Sequence, residues 1–144
     1  LGYPCYEEEL RIITMTEAEK AGVPTAATGE DILAIREVLE QVRADPSLIQ
    51  YIADIVTATR NHPAVLLGAS PRGGIALYRM SRALALYEGR DYILPDDVKT
   101  LAPHVLSHRL MLRPEAKIDK VAPDGILREI LGKTPIPALG RRGQ

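Results

Sequence analysis

Four successive stretches of this chain carry apolar residues three and four positions apart, and a proline opens three of them. That spacing places the apolar side chains on one face of an α-helix. Proline is tolerated in the first helical turn, where its missing N–H would have had no intrahelical partner. The pattern therefore predicts a mainly α fold, a small helical bundle of about four to six helices with at most a short two-stranded β element near the C-terminus.

The first of these stretches begins near Asp31, with Thr28 or Asp31 available as a cap, and carries Ile32, Ile35, Leu39 and Val42 as one buried stripe. The second follows Pro46, with Leu48, Ile52, Ile55 and Thr59 on one face, and stops between Asn61 and Pro63. The third starts at Ser70 and Pro71, continues through Leu77, Met80, Leu84 and Tyr87, and ends at Gly89. The fourth starts at Pro95-Asp96-Asp97 and carries Val98, Leu101, Ala102 and Val105. Pro103 should kink or restart it before its end near His108. A shorter helix is predicted from Tyr6 to Met15, after Pro4, where Glu7, Glu8 and Glu9 suit the positive end of the helix dipole.

Ala21 to Gly29 reads as a connecting loop, and Gly140 to Gln144 as a polar, basic, frayed tail. Arg109 to Arg113 fits a short strand, Pro123 to Leu131 a last short helix, and Thr134 to Pro137 an extended piece able to pair with that strand.

A length of 144 residues suits one compact domain with a real core. Eighteen basic against nineteen acidic side chains give a net charge of −1, so no bulk field draws the chain to nucleic acid or anionic lipid. The single Cys5 can form no internal disulfide and suits a reducing cytosol. No apolar run is long enough for a membrane span and no signal peptide opens the chain, which leads to the expectation of a cytoplasmic protein without membrane insertion. The start at Leu1, without methionine, suggests a fragment of something longer.

Several motifs invite chemistry. Gly132-Lys133-Thr134 resembles part of a phosphate loop, but Leu127 stands where that loop needs a glycine and an extended segment follows where it needs a helix. It reads instead as a C-cap glycine with a solvated lysine. His104 and His108, four apart, have the spacing of paired zinc ligands, yet no catalytic glutamate or third ligand accompanies them. No metal site is expected, and a structural role is preferred for both. His62, beside Pro63, reads as a helix end. Tyr51, Tyr78 and Tyr87 read as core or rim packing rather than a base-stacking platform.

Arg72, Arg79 and Arg82 fall on one side of the third helix, opposite Leu77, Met80 and Leu84. On most helices such a stripe is a solvated surface. Arg72 differs because it sits in the first turn, where a cation works against the helix dipole. An anion held between its guanidinium and the free amides of the helix start would account for that placement, and phosphate is the natural candidate.

The segments Gly68-Ala69-Ser70-Pro71-Arg72, Arg82-Ala83-Leu84-Ala85-Leu86, Gly89-Arg90-Asp91-Tyr92, Pro95-Asp96-Asp97-Val98 and Val105-Leu106-Ser107-His108-Arg109-Leu110 together resemble the lid of MoxR-type AAA+ ATPases. The opening Leu1-Gly2-Tyr3-Pro4 with Glu7-Glu8-Glu9 is similar to the segment that leaves the last core strand in that family. On this resemblance residues 1–20 leave the AAA+ core with one short helix, 21–29 form a loop, 30–139 form the helical lid and 140–144 a flexible tail.

The resemblance implies a hexameric ATPase whose core, not this chain, carries the Walker motifs and binds ATP and Mg2+. It implies that Arg72 is the sensor 2 arginine, catalytic and nucleotide-binding together with Ser70. It further implies chaperone-like assembly of protein complexes or metal-cofactor insertion, often beside a von Willebrand factor A domain protein, with magnesium-chelatase ATPase subunits as relatives. The fragment alone should be inactive and bind no cofactor. Gly73 and Gly74 depart from the family pattern and weaken the first turn by about 1 kcal/mol each relative to alanine. The competing expectation is a stand-alone helical protein-interaction module without nucleotide; DNA binding ranks third and would be strongly salt-dependent.

Overall fold

The computed structural model describes residues 2–15 and 24–137. The predicted tail from Gly140 to Gln144 and the first part of the predicted loop, 21–23, lie outside the described residues. The chain divides into two compact units, Leu1–Ala34 and Ile35–Gln144.

In the first unit, α1 spans Tyr6–Thr14 with Glu7, Glu8 and Glu9 in its first turn. The Cys5 amide donates to the Glu8 carboxylate at 2.9 Å, tying the N-terminus of the helix to its own first turn. None of its residues is buried.

Helix α2, Gly29–Gln41, begins in the first unit and ends in the second. Thr28 caps it reciprocally: the Asp31 amide donates to the Thr28 hydroxyl at 3.2 Å, and the Thr28 amide donates to the Asp31 carboxylate at 2.7 Å. The predicted helix is present, but its predicted burial holds only at its end: Leu39 is half-buried and Val42, just past the helix, is buried in the core. Ile32, Leu33, Ile35 and Val38 are each about half exposed, and no residue of α2 is buried. Periodicity identifies an apolar face; it does not say what covers it.

The second unit holds the core. Helix α3, Pro46–Asn61, is capped by Asp45, which accepts from the Ser47 amide at 2.9 Å, and buries Leu48, Tyr51, Ile52, Ile55, Val56 and Thr59. Helix α4 spans Pro71–Tyr87 and α5 spans Pro95–Leu106. Pro103 is accommodated inside α5, which runs three residues beyond it and passes into a 3-10 turn at Ser107–Arg109. Helix α6 is a single short element, Pro114–Ile118, and α7 spans Pro123–Lys133. Helix α4 packs on α5 and α3, and α7 closes the core against α5 and α3.

The predicted stripe of α4 needs correction. Its buried row is Gly73, Leu77, Ser81 and Ala85, four residues apart, whereas Met80 and Tyr87 are exposed. Small side chains in that row let a neighbouring helix approach closely, which bulkier Met80 would prevent. The end of α4 matches expectation: Gly89 takes φ +72°, its amide donates to the Leu86 carbonyl at 2.9 Å, and the Arg90 amide donates to the Ala85 carbonyl at 2.8 Å.

A two-stranded antiparallel sheet joins β1, Val65–Leu67, to β2, Met111–Leu112. The strand expected after Arg109 is therefore present, but its partner is β1 and not Thr134 to Pro137, which lies outside the sheet. The described residues form seven helices and this one small sheet, a mainly α domain. No helix among them is long and apolar enough to cross a membrane.

Candidate functional site

The loop Gly68-Ala69-Ser70, which delivers the chain to α4, is fastened to the C-terminal turn of α3. The Ala69 amide donates to the buried Thr59 hydroxyl at 3.0 Å, and that hydroxyl donates to the Val56 carbonyl at 2.6 Å. The Ala69 carbonyl accepts from Nε of Arg60 at 2.9 Å. Gly68 lies so close to α3 that a Cβ built on it would stand 2.7 Å from both Cα and N of Arg60. Only glycine permits that approach.

Ser70 then starts α4 with extended backbone and its carbonyl accepts from the Gly73 amide at 2.8 Å. Its hydroxyl makes no capping bond, so the expected side-chain cap is not used. Pro71 follows as the first helical residue. Arg72 is exposed, with no hydrogen bond or ion pair among the described residues, and no acidic residue shares its turn. The structure thus brings Ser70 and Arg72 together at one helix start whose position is set by α3.

Gly73 has a packing reason: a Cβ there would meet Leu106 Cδ2 at 3.2 Å and the Ala69 Cβ at 3.4 Å. Gly74 helps keep open an apolar groove of about 360 Å3 between α3 and α4, which runs from Pro71 past Ile52, Val56 and Ile75 to Tyr78.

The arginine stripe separates into different roles. Arg82 is not a solvated surface group. Its Nε donates to the Val42 carbonyl at 2.9 Å, its Nη2 donates to the Glu40 carbonyl, and it lies 5.4 Å from the centre of the Tyr78 ring. Helix α2 has no basic residue in its own last turn, so Arg82 supplies the cation that its carbonyl end favours. Arg79 is exposed.

Sequence reasoning missed the reason for the Gly89-Arg90 and Pro95-Asp97 segments. Arg90 grips the buried Asp97 carboxylate with two bonds, at 2.9 and 2.7 Å, and Asp97 also accepts the Leu94 amide at 2.8 Å to cap α5. The bond to Asp97 holds the Arg90 pKa above its ordinary value. The i, i+3 spacing from Leu94 to Asp97 was the available signal for the cap.

The remaining candidates occupy other places. His104 and His108 are both exposed, one on α5 and the other in the 3-10 turn that follows it, so neither belongs to the core. Among the described residues no group of three metal-ligating side chains forms. His62 caps the end of α3: its Nδ1 accepts the Ala64 amide at 3.2 Å and its Nε2 lies 3.5 Å from Glu129. Gly132 lies inside α7 and not beyond it, and Lys133 pairs with Glu129 at 2.6 Å. Tyr51 is core, Tyr78 is half-buried beneath Arg82, and Tyr87 projects into solvent instead of packing.

Residues 57–130 match the family model described as the AAA lid domain. The chain is 42% identical over 139 residues to the uncharacterized protein YeaC of Bacillus subtilis (strain 168), covering 95% of this chain and 43% of that protein. It is 32% identical over 146 residues to Chaperone MoxR1 of Mycobacterium tuberculosis, covering 95% and 39%. A crystal structure from Cytophaga hutchinsonii, of a protein named provisionally as an ATPase, matches with a TM-score of 0.80 and 33% identity, over 96% of this chain and 45% of that one. The chain therefore spans less than half the length of these relatives. A magnesium-chelatase subunit ChlI homolog of Methanocaldococcus jannaschii is 33% identical over 86 residues, covering 59% of this chain and 21% of that protein. By its fold, its Gly68–Arg72 segment and these likenesses, the chain belongs to the AAA lid domain family, in its MoxR-type form.

Proposed function

We propose that this lid serves a MoxR-type AAA+ ATPase and that Arg72 acts there as the sensor 2 arginine, contacting the terminal phosphate of ATP. The observation that carries this reading is an exposed guanidinium without a counterion among the described residues, in the first turn of a 17-residue helix whose preceding loop is fixed to α3. A phosphate beside it would meet the positive charge of Arg72 and the free amides of the first turn together. Fixing the loop in advance lets the guanidinium stabilise charge that develops during phosphoryl transfer without reorganising. Mg2+ and the nucleotide's other contacts belong on this reading to the AAA+ core, in a homo-hexamer.

The name of the mycobacterial relative supports a chaperone role, and the chelatase relative supports metal-cofactor insertion as a related activity. A von Willebrand factor A domain protein is the proposed partner, and the cytoplasm the proposed compartment. The half-exposed apolar side chains of α2 favour docking against further protein, which also suits a stand-alone interaction module. One experiment separates the two. In the full-length protein, Arg72→Ala should keep its far-UV circular dichroism and lose about 10²-fold or more in kcat for ATP hydrolysis. Unchanged turnover would overturn the sensor 2 reading.

A further inference from the structure

A cavity of about 420 Å3 lies between the second half of α2 and the middle of α4. Arg36, Leu39 and Glu40 line it from α2; Ile75, Tyr78, Arg79 and Arg82 line it from α4. Three guanidinium groups against one carboxylate leave two positive charges on its wall. Arg82 is committed to the carbonyls at the end of α2. Arg36 and Arg79 have no hydrogen bond or ion pair among the described residues, and neither does the Glu40 carboxylate. Two cations therefore stand beside an apolar floor of Leu39, Ile75 and the Tyr78 ring, with the single Glu40 carboxylate bonded to neither of them.

We propose that this cavity is a docking site for an acidic segment of another protein chain, one that presents two carboxylates on either side of an aliphatic or aromatic side chain. The two uncommitted guanidiniums come from different helices, so each can take one carboxylate in a two-point grip, and the floor between them takes the apolar side chain. A compact inorganic anion would satisfy the charge and leave the apolar floor uncovered. Arg79 stands seven residues from Arg72, about 10 Å along the helix at 1.5 Å per residue, so the site is separate from the helix start. It does not rest on the ATP reading.

The test is fluorescence anisotropy of a labelled peptide of sequence Glu-Leu-Glu-Glu-Leu-Glu with this chain at physiological ionic strength. Arg36→Gln/Arg79→Gln should weaken binding at least about tenfold, whereas Arg72→Gln and the charge-matched Arg113→Gln/Arg128→Gln should change it less than about twofold. Replacing the leucines of the peptide by serine should also weaken it. All the variants alter exposed side chains, and circular dichroism checks their folding. Equal losses in the two double variants would reduce the site to diffuse attraction and overturn the proposal. Displacement of the peptide by an equal concentration of inorganic pyrophosphate would also overturn it, by identifying a small-anion site.

Discussion

The hydroxyl of Thr59, buried in α3, accepts the amide hydrogen of Ala69 at 3.0 Å and donates its own to the Val56 carbonyl at 2.6 Å. One side chain thus satisfies a buried amide of the loop that leads into α4 and Arg72. Thr59→Val keeps the shape and removes both bonds, leaving the Ala69 amide unpaired. It should cost about 1–3 kcal/mol, read as a lower urea midpoint, while Thr59→Ser should retain most of the stability. A Thr59→Val protein as stable as the parent would mean that the loop is held by other means.

Glycine substitutions should have opposite signs at two positions. Gly68→Ala drives a methyl group into the backbone of Arg60 and should destabilise by about 1–3 kcal/mol. Gly132→Ala meets nothing within 4 Å and lies inside α7, so it should stabilise by about 0.5–1 kcal/mol. Thermal unfolding of the two variants side by side checks both signs.

Neighbouring aspartates of α5 should differ sharply. Asp97→Ala leaves the Arg90 guanidinium, which is mostly shielded from solvent, without its carboxylate and removes the cap on the Leu94 amide, a loss of about 3 kcal/mol or more. Asp96 is exposed and among the described residues pairs only with Lys99, so Asp96→Ala should cost under about 1 kcal/mol. Equal losses in chemical denaturation would contradict the distinction.

Much of this was legible in the sequence, and the omissions share a cause. Helices α3, α4 and α5 announce themselves by local spacing and by prolines in their first turns, and Gly89 marks an end that needs positive φ. Strand β1 is three residues long and pairs with β2 more than forty residues later, a relationship that local patterning cannot express. Met80 matches a helical stripe as well as Ser81 does not, yet the structure buries Ser81, whose hydroxyl is satisfied by the Leu77 carbonyl at 2.9 Å. Arg82 looked like surface because the carbonyls it caps are forty residues upstream. At the candidate site the residues Ser70 and Arg72 were legible through family resemblance, while the fastening by Thr59 and Arg60 is tertiary.

Stability should fall on acidification. The Thr28 amide lowers the Asp31 pKa, the Ser47 hydroxyl lowers that of Asp45, and Lys133 followed by His62 lowers that of Glu129. Each folded carboxyl therefore binds its proton less readily than it does in the unfolded chain. Their contribution is present above the unfolded values, about 4, and disappears as pH falls through the lower folded values. Urea midpoints measured at about pH 6 and about pH 3 should show the loss, and Asp31→Asn/Asp45→Asn/Glu129→Gln should flatten part of it. An unaltered pH profile in that triple variant would place the acid sensitivity elsewhere.

Gly68 rests against the backbone of Arg60 with no space for even a methyl group, and the loop beyond it is bonded to α3 from both sides. A linkage without slack cannot absorb motion. Any tilt of α3 would carry the start of α4 with it like the pin of a crank, so the orientation of α3 fixes where the Arg72 charge stands.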